Sequence, residues 1–230
     1  MNNALNNTAI LVFSRTAQAE ATEKKLLFST QKAESVAALM IEHTRKIVQN
    51  SGLPYYFITE KQQIGSDFGE KLSNAFESVF LKGYENVIAI GNDCLSLSSK
   101  QLIHAAELLV DTPSVLGPTS DGGVYLMGFQ KEAFSKEAFS TIDWQTENVF
   151  SQLSLLNENI KLLPILSDID TAQDLTQQLN SISIRLKKAI LRIVNEAFYG
   201  IQKPISIFVL KVYLSLKSLR GPPSFSKVIN

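Results

Sequence analysis

The sequence predicts an α/β fold with a largely parallel β-sheet, helices on both faces of that sheet, and a helical C-terminal extension. Short apolar runs of strand length alternate with longer segments whose apolar residues recur at helical spacing, which is typical of a parallel sheet. The 230 residues are 45% hydrophobic and 19% charged, which fits one globular domain with an appendage. Two of the apolar runs lead into an acidic residue, and in such sheets ligands bind outside the carboxyl ends of the strands.

The first half of the chain supplies three predicted strands. They are short runs rich in apolar residues, at 9–13, 55–59 and 87–91. Helical periodicity predicts one helix over 32–49 and a second one beginning near Phe68, with Asp67 placed to cap it. The polar segment 14–30 gives no clear prediction.

The second half continues the alternation. A helix is predicted to start at Ser98, and another covers 146–156. Three further strands are predicted at 114–117, 124–129 and 160–166. Thr171 followed by Asp174 forms a capping-box-like pattern, which predicts the start of a last helix of the domain.

The charges are segregated along the chain, although the formal net charge is zero. From Arg185 onward there are nine basic residues and one acidic residue, and the apolar residues fall on helical faces. We therefore divide the chain into a domain at 1–180 and a basic amphipathic helical extension at 181–230. Two interpretations of the extension stay open: peripheral contact with an anionic membrane, or packing on its own domain or on a second copy of the chain.

The single cysteine, Cys94, excludes an intramolecular disulfide and a cysteine-rich metal site. The chain start lacks the basic and apolar regions of a signal peptide, and no apolar run reaches the roughly 18 residues of a membrane span. We therefore expect a cytoplasmic protein, with membrane association through the extension as the open alternative. The acidic domain argues against nucleic acid as a partner.

Asp93 follows a predicted buried strand, and Asp170 lies far along the chain in a second acidic segment. Two such carboxylates are the ligands that Mg²⁺ takes from proteins, with water and phosphate oxygens completing the shell. The alternative is structural, with Asp93 capping a loop and Asp170 capping a helix.

Other candidates for ligand contact lie in loops. Gly65 precedes a helix whose backbone amides could meet an anion. The turn Asp121-Gly122-Gly123 could let the backbone approach a ligand, although D-G is also an ordinary hairpin signal. Trp144 could stack on a base or a sugar, or serve as a core aromatic.

Taken together, five segments in this order resemble a bacterial glycosyltransferase-A-like family. That family is similar to the nucleotidyltransferases that make molybdenum-cofactor dinucleotides and to phospholactate guanylyltransferase. The resemblance covers roughly residues 9–179 and rests on these segments: Q-I-G-S-D-F-G-E-K-L-S-N-A-F, G-Y-E-N-V-I-A-I-G-N-D-C-L-S-L, V-L-G-P-T-S-D-G-G-V-Y-L-M-G-F, I-D-W-Q-T and L-S-D-I-D-T-A-Q-D-L.

The resemblance implies a three-layer α/β/α glycosyltransferase-A fold, also called the nucleotide-diphospho-sugar transferase fold. It implies a nucleotide or nucleotide-sugar site at the ends of the first strands, with Arg15 and Lys25 on the phosphates. It also implies a Mg²⁺ or Mn²⁺ ion near Asp93, with Asp170 brought to the same edge of the sheet. The two glycines after Asp121 would approach the acceptor or the sugar.

The first loop departs from the family pattern, in which a proline, a glycine and cations surround the nucleotide phosphates. Ala17 stands at the proline position, Glu20 at the glycine and Glu23 at the lysine, whereas Arg15 is retained and Lys25 stands where the arginine would be. Carboxylates near a polyphosphate repel it. Two functions are therefore expected: a metal-dependent glycosyltransferase or nucleotidyltransferase, or a catalytically impaired family member with a binding or regulatory role.

Overall fold

The computed structural model describes residues 5, 7–24, 29–180 and 182–195. Its centre is a six-stranded sheet with the strand order β2-β1-β3-β5-β4-β6. The strands are β1 (Thr8–Phe13), β2 (Tyr55–Ile58), β3 (Asn86–Ile90), β4 (Ser114–Pro118), β5 (Val124–Gln130) and β6 (Ile160–Leu162). The predicted α/β class with a mostly parallel sheet is confirmed.

One strand runs against the others. β5 pairs antiparallel with both β3 and β4, because a tight turn joins it directly to β4. The pairs β1–β2, β1–β3 and β4–β6 are parallel. Val12 lies opposite Ile90, so β1 and β3 end at the same level and deliver their following residues to one edge.

Eight α-helices surround the sheet in the described residues. They are α1 (Ala17–Glu23), α2 (Thr30–Ser51), α3 (Phe68–Phe80), α4 (Ser99–Leu108), α5 (Lys136–Ser140), α6 (Val149–Leu153), α7 (Ala172–Gln178) and α8 (Ile184–Asn195). A short 3₁₀ turn (Lys131–Ala133) follows β5. None of the described helices combines the length and the apolar composition that crossing a membrane requires.

Side-chain capping fixes the helix starts that the sequence predicts. Asp67 accepts a hydrogen bond from the backbone of Glu70 at the start of α3. Complete capping boxes begin α4 at Ser98 and α7 at Thr171. At Thr171, the Asp174 side chain accepts a hydrogen bond from the backbone N–H of the cap residue.

Two hydrophobic clusters sandwich the sheet and make three layers. Alternate residues of β1 point to opposite faces, so that Ile10 and Val12 pack with α2 and α4 while Ala9 and Leu11 pack with α3, α5 and α6. A third cluster joins α2 to α7 and α8.

The described part of the extension is α8, and its apolar face is covered by the domain. Leu186, Ile190 and Val194 are buried in the cluster that contains Val36 and Met40 of α2. The second predicted apolar stripe, at 205–216, lies outside the described residues.

Three segments differ from the prediction in ways that local chemistry explains. The polar segment 14–30 contains α1, which Thr16 caps by accepting a hydrogen bond from Ala19. Strand β6 is shorter than predicted because Pro164 has no N–H to donate, and pairing resumes only at a bridge between Thr119 and Leu166. Helix α6 begins later than predicted, after Gln145, which has a positive φ of 65°.

Candidate functional site

A cavity of about 500 Å³ opens at the carboxyl ends of β1 and β3. Six separate parts of the chain line it: the segment from the end of β1 through α1, the 63–72 segment, the end of β3 with the residues after it, the D-G-G turn with the start of β5, the 144–149 segment and the 168–170 loop. This is the edge where open α/β sheets bind ligands.

Ser14 and Asn92 follow the neighbouring strands β1 and β3, and both line the cavity. Both side chains are more than nine-tenths buried. Within the described part of the chain, Ser14 Oγ and Asn92 Nδ2 have no hydrogen-bond partner. An unpaired buried polar atom is costly, so each of these two residues at the cavity wall carries a polar group that would gain from a hydrogen-bond partner.

The structure brings Asp93 and Asp170 close together at this edge of the sheet. The backbone N–H of Ile169 donates to the carbonyl oxygen of Asp93 over 3.1 Å, which joins the two segments. Gly91 leaves the space that Asp93 uses, because a Cβ on Gly91 would lie 2.6 Å from Asp93 Oδ1.

Lys24, at the end of α1, places its ammonium between these two carboxylates. Its Nζ lies 2.9 Å from Asp93 Oδ2, 2.9 Å from Asp170 Oδ1 and 3.0 Å from the carbonyl oxygen of Ile169. Burial opposes its charge, but the nearby carboxylates of Asp93 and Glu20 outweigh burial and hold the pKa of Lys24 above its ordinary value. The ammonium is therefore a fixed positive charge at this point.

Glu20 stands where the family pattern has a glycine, and its carboxylate is turned into the same cluster. It is 2% exposed, and its oxygens lie 3.3 Å from Lys24 Nζ and 3.9 Å from Arg15 Nη1. Burial raises the pKa of Glu20, and Lys24 lowers it by less. Glu23 is exposed and does not line the cavity. The altered loop thus carries one buried, partly compensated carboxylate rather than two facing a phosphate.

Asp168 is a site residue that the sequence reasoning did not single out. Burial, reinforced by the charges of Asp93 and Asp170, raises the pKa of Asp168 to about 8. Its Oδ1 has no hydrogen-bond partner among the described residues. In the metal-free cluster, Asp168 therefore keeps its proton to a higher pH than an ordinary aspartate does.

The D-G-G turn shapes one wall of the cavity. Asp121 Oδ1 accepts hydrogen bonds from Thr119 Oγ1 over 2.5 Å and from the backbone of Gly123 over 3.2 Å, and these bonds lower the pKa of Asp121. Gly122 has a φ of 92°, and a Cβ there would collide with the carbonyl oxygen of Glu147. Asp121 and Gly123 line the cavity, whereas Gly122 fixes the turn against the neighbouring loop.

Trp144 forms an aromatic part of the wall. Its Nε1 donates to the carbonyl oxygen of Phe139 over 2.8 Å, so only the ring remains for contact with a ligand. The indole lies against Gly69, where a Cβ would be 2.5 Å from Nε1, and packs on Phe68 with ring centroids 5.4 Å apart.

The three residues predicted to contact the nucleotide differ in where the structure places them. Arg15 lines the cavity. Gly65, with a φ of 144°, packs against the backbone at Lys71 and does not line it. Lys25 lies outside the described residues.

The missed residues had weak signals in the sequence. Ser14 and Asn92 each directly follow a predicted apolar run, so strand register would have found them. Asp168 is two residues from Asp170. Lys24 had no signal, because its position depends on a helix that the polar segment did not predict.

Two carboxylates here are of the ligand type that a divalent cation takes from proteins. Asp93 and Asp170 converge on one point, which the Lys24 ammonium marks, and Mg²⁺ needs only one or two protein carboxylates. Within the described residues, no group of three or more His, Cys, Asp or Glu side chains is arranged to hold a metal.

The fold and the cavity together define a class: this is an α/β protein with the nucleotide-diphospho-sugar transferase fold. A candidate nucleotide-diphospho-sugar transferase from Desulfovibrio desulfuricans G20 matches 85% of this chain and 97% of its own, with a TM-score of 0.72 and 22% identity. A family described as an uncharacterized protein conserved in bacteria, DUF2064, matches residues 11–146, and the chain belongs to this family.

Other solved structures are more distant. Rv0371c from Mycobacterium tuberculosis H37Rv, in complex with manganese, is 14% identical and matches 76% of this chain and 99% of its own, with a TM-score of 0.46. The 4-diphosphocytidyl-2C-methyl-D-erythritol synthase from Anaerococcus prevotii DSM 20548 is 10% identical and matches 76% and 96%, with a TM-score of 0.44. No curated protein matches the sequence.

Proposed function

We propose that this chain binds a nucleotide or nucleotide sugar in the cavity and transfers a group from it with the help of a divalent cation. One observation supports the proposal: Ser14 and Asn92, each with an unpaired polar atom, line the same cavity as the converging carboxylates of Asp93 and Asp170. The Ser14 hydroxyl and the Asn92 amide can hydrogen-bond polar groups of a nucleoside, and the two carboxylates can bind a cation that accompanies phosphates.

The roles of the residues follow from where they lie. Asp93 and Asp170 would hold Mg²⁺ or Mn²⁺, which offsets the negative charge of a phosphate leaving group. Arg15 also lines the cavity, and its guanidinium can bind two phosphate oxygens at once. The ring of Trp144 can cover a base or a sugar.

A second candidate function is a family member that binds a ligand without transferring a group. The ion cluster of Glu20, Lys24 and Asp93 favours it, because Glu20 stands at the position of the family's glycine and its carboxylate pairs with a lysine that could otherwise bind phosphate. Such a protein would keep the cavity for recognition or regulation.

Binding is tested by thermal unfolding with a panel of nucleoside triphosphates and nucleotide sugars at millimolar concentration, with and without Mg²⁺. We expect at least one ligand to raise the Tm of the wild type by several degrees and to have little effect on Asp93→Asn. Asp111→Asn, at an exposed carboxylate after α4, is the matched control and should behave as wild type. If no ligand shifts the Tm, the proposed function fails.

Transfer is tested on the ligand that binds. Release of pyrophosphate or of the nucleoside diphosphate, with mass spectrometry for products, distinguishes the two candidates. Turnover that requires Mg²⁺ and Asp93 supports the transferase, whereas binding with no turnover under any metal supports the second function.

A further inference from the structure

We propose that Lys24 is a built-in counter-cation that holds the metal position between Asp93 and Asp170 and competes with a divalent cation for it. This inference deepens the proposed function, since it concerns how the metal gains access to the same site.

The surroundings of the Lys24 ammonium resemble those of a bound cation. Four oxygen atoms, from Glu20, Asp93, Ile169 and Asp170, lie within 3.3 Å of Nζ. An ammonium has three protons, so it cannot donate a full hydrogen bond to each of the four. Oxygen donors that converge from three chain segments at one point are the environment of a hard cation.

The charge balance explains why the position does not stay empty. Without Lys24, the carboxylates of Glu20, Asp93 and Asp170 would face one another beside the buried carboxyl of Asp168, and their mutual repulsion would be large. A tethered ammonium relieves this repulsion at a high effective concentration. A divalent cation brings twice the charge, but it must first displace the lysine.

The lysine can leave without refolding of the domain. Lys24 is the C-cap of α1, with φ −90° and ψ 117°, and its long side chain reaches the site from the helix end. Rotation of that side chain is enough to move the ammonium. Nucleotide phosphates entering beside Arg15 would give the displaced ammonium new partners, so nucleotide and metal should bind cooperatively.

The direct test is a titration with Mn²⁺ alone, in which free Mn²⁺ is followed by electron paramagnetic resonance. We expect Lys24→Gln to bind Mn²⁺ about tenfold more tightly than wild type or better. Lys136→Gln, which removes an ion-paired lysine outside the cavity, is the matched control and should leave the affinity unchanged. An unchanged or weaker affinity of Lys24→Gln overturns the proposal.

If Lys24→Gln does not fold, the proposal is tested on the wild-type protein through the reactivity of Lys24. Reductive methylation of Lys24, measured by peptide mass spectrometry relative to Lys136, should be slow without metal and faster in millimolar Mn²⁺, because the displaced ammonium faces solvent. Equal rates with and without Mn²⁺ overturn the proposal. Since neither measurement contains a nucleotide, their outcome is independent of whether the protein binds one.

Discussion

At the scale of single residues, the site depends on small side chains that leave room for charged ones. Gly91 gives Asp93 the space to fold back over the end of β3. The sequence indicated Asp93 and Asp170 as candidate ligands because each follows an apolar run or lies in an acidic segment, and the family resemblance implied that they meet. It did not indicate Lys24 between them, because Lys24 lies at the end of α1, a helix that the polar segment does not predict.

The substitution Gly91→Ala tests whether Mn²⁺ binding depends on the position of the Asp93 carboxylate. The new Cβ would meet Asp93 Oδ1, so we expect the carboxylate to move and the affinity for Mn²⁺ to fall about tenfold or more. Calorimetric titration measures this, and Asp93→Asn sets the size of a complete loss. Wild-type affinity in Gly91→Ala would show that the position of this carboxylate does not matter.

Cys94 directly follows Asp93 and should be unreactive in the folded protein. Burial, reinforced by Asp168 and Asp93, raises the pKa of the Cys94 thiol to about 12, so almost no thiolate exists at neutral pH. We expect alkylation by iodoacetamide only as the protein unfolds in denaturant. Rapid labelling in native buffer would contradict the burial of this side chain.

His43 predicts part of the pH dependence of stability. Its Nε2 donates to the carbonyl oxygen of Leu95 over 3.1 Å, and burial lowers its pKa below 6.5. The unfolded chain therefore takes up a proton first, and stability that is present above pH 6.5 is lost as the pH falls through the folded pKa. We expect the free energy of unfolding of wild type to fall more steeply below pH 6.5 than that of His43→Gln, whereas the exposed His104→Gln should follow wild type.

At the scale of elements, helix caps explain both what the sequence predicted and how the site is positioned. The starts of α3, α4 and α7 were readable because a cap and its partner are a local pattern. Helix α1 was not predicted, since its segment is polar and its buried residues are few. The interruption of β6 does not appear in the apolar pattern, because Pro164 removes a backbone N–H without changing the hydrophobic run.

Two equivalent caps give a matched pair of variants. Thr171→Ala removes the capping box of α7 next to Asp170, and Ser98→Ala removes the one of α4. Each should cost about 1 kcal/mol in the free energy of unfolding. Only Thr171→Ala should also weaken Mn²⁺ binding, as measured by calorimetry. An equal loss of affinity in both variants would argue against a local link between the α7 cap and Asp170.

At the scale of the whole molecule, the alternation of strands and helices was enough to predict the sheet class, because alternation determines which elements can be neighbours. The antiparallel placement of β5 follows from the D-G-G turn. The role of the extension did not follow from the sequence, since an amphipathic helix has the same pattern whether it covers a protein or a membrane.

Removal of the extension tests its role. Because Ile190 of α8 is fully buried against the cluster of α2, a chain ending at Asn180 should unfold at a lower denaturant concentration than the full chain. If the extension only packs against protein, neither the full chain nor the shortened one should co-sediment with anionic liposomes. Co-sedimentation of the full chain only would instead establish the membrane contact.

The central claim is that one cavity binds both a nucleotide and a divalent cation. A crystal structure with Mn²⁺ and a nucleotide that raises the Tm tests it most directly. We expect anomalous density for Mn²⁺ between Asp93 and Asp170, with the nucleotide next to Ser14 and Asn92 and the Lys24 ammonium moved away. A nucleotide bound elsewhere, or Mn²⁺ density away from this pair, would contradict the account.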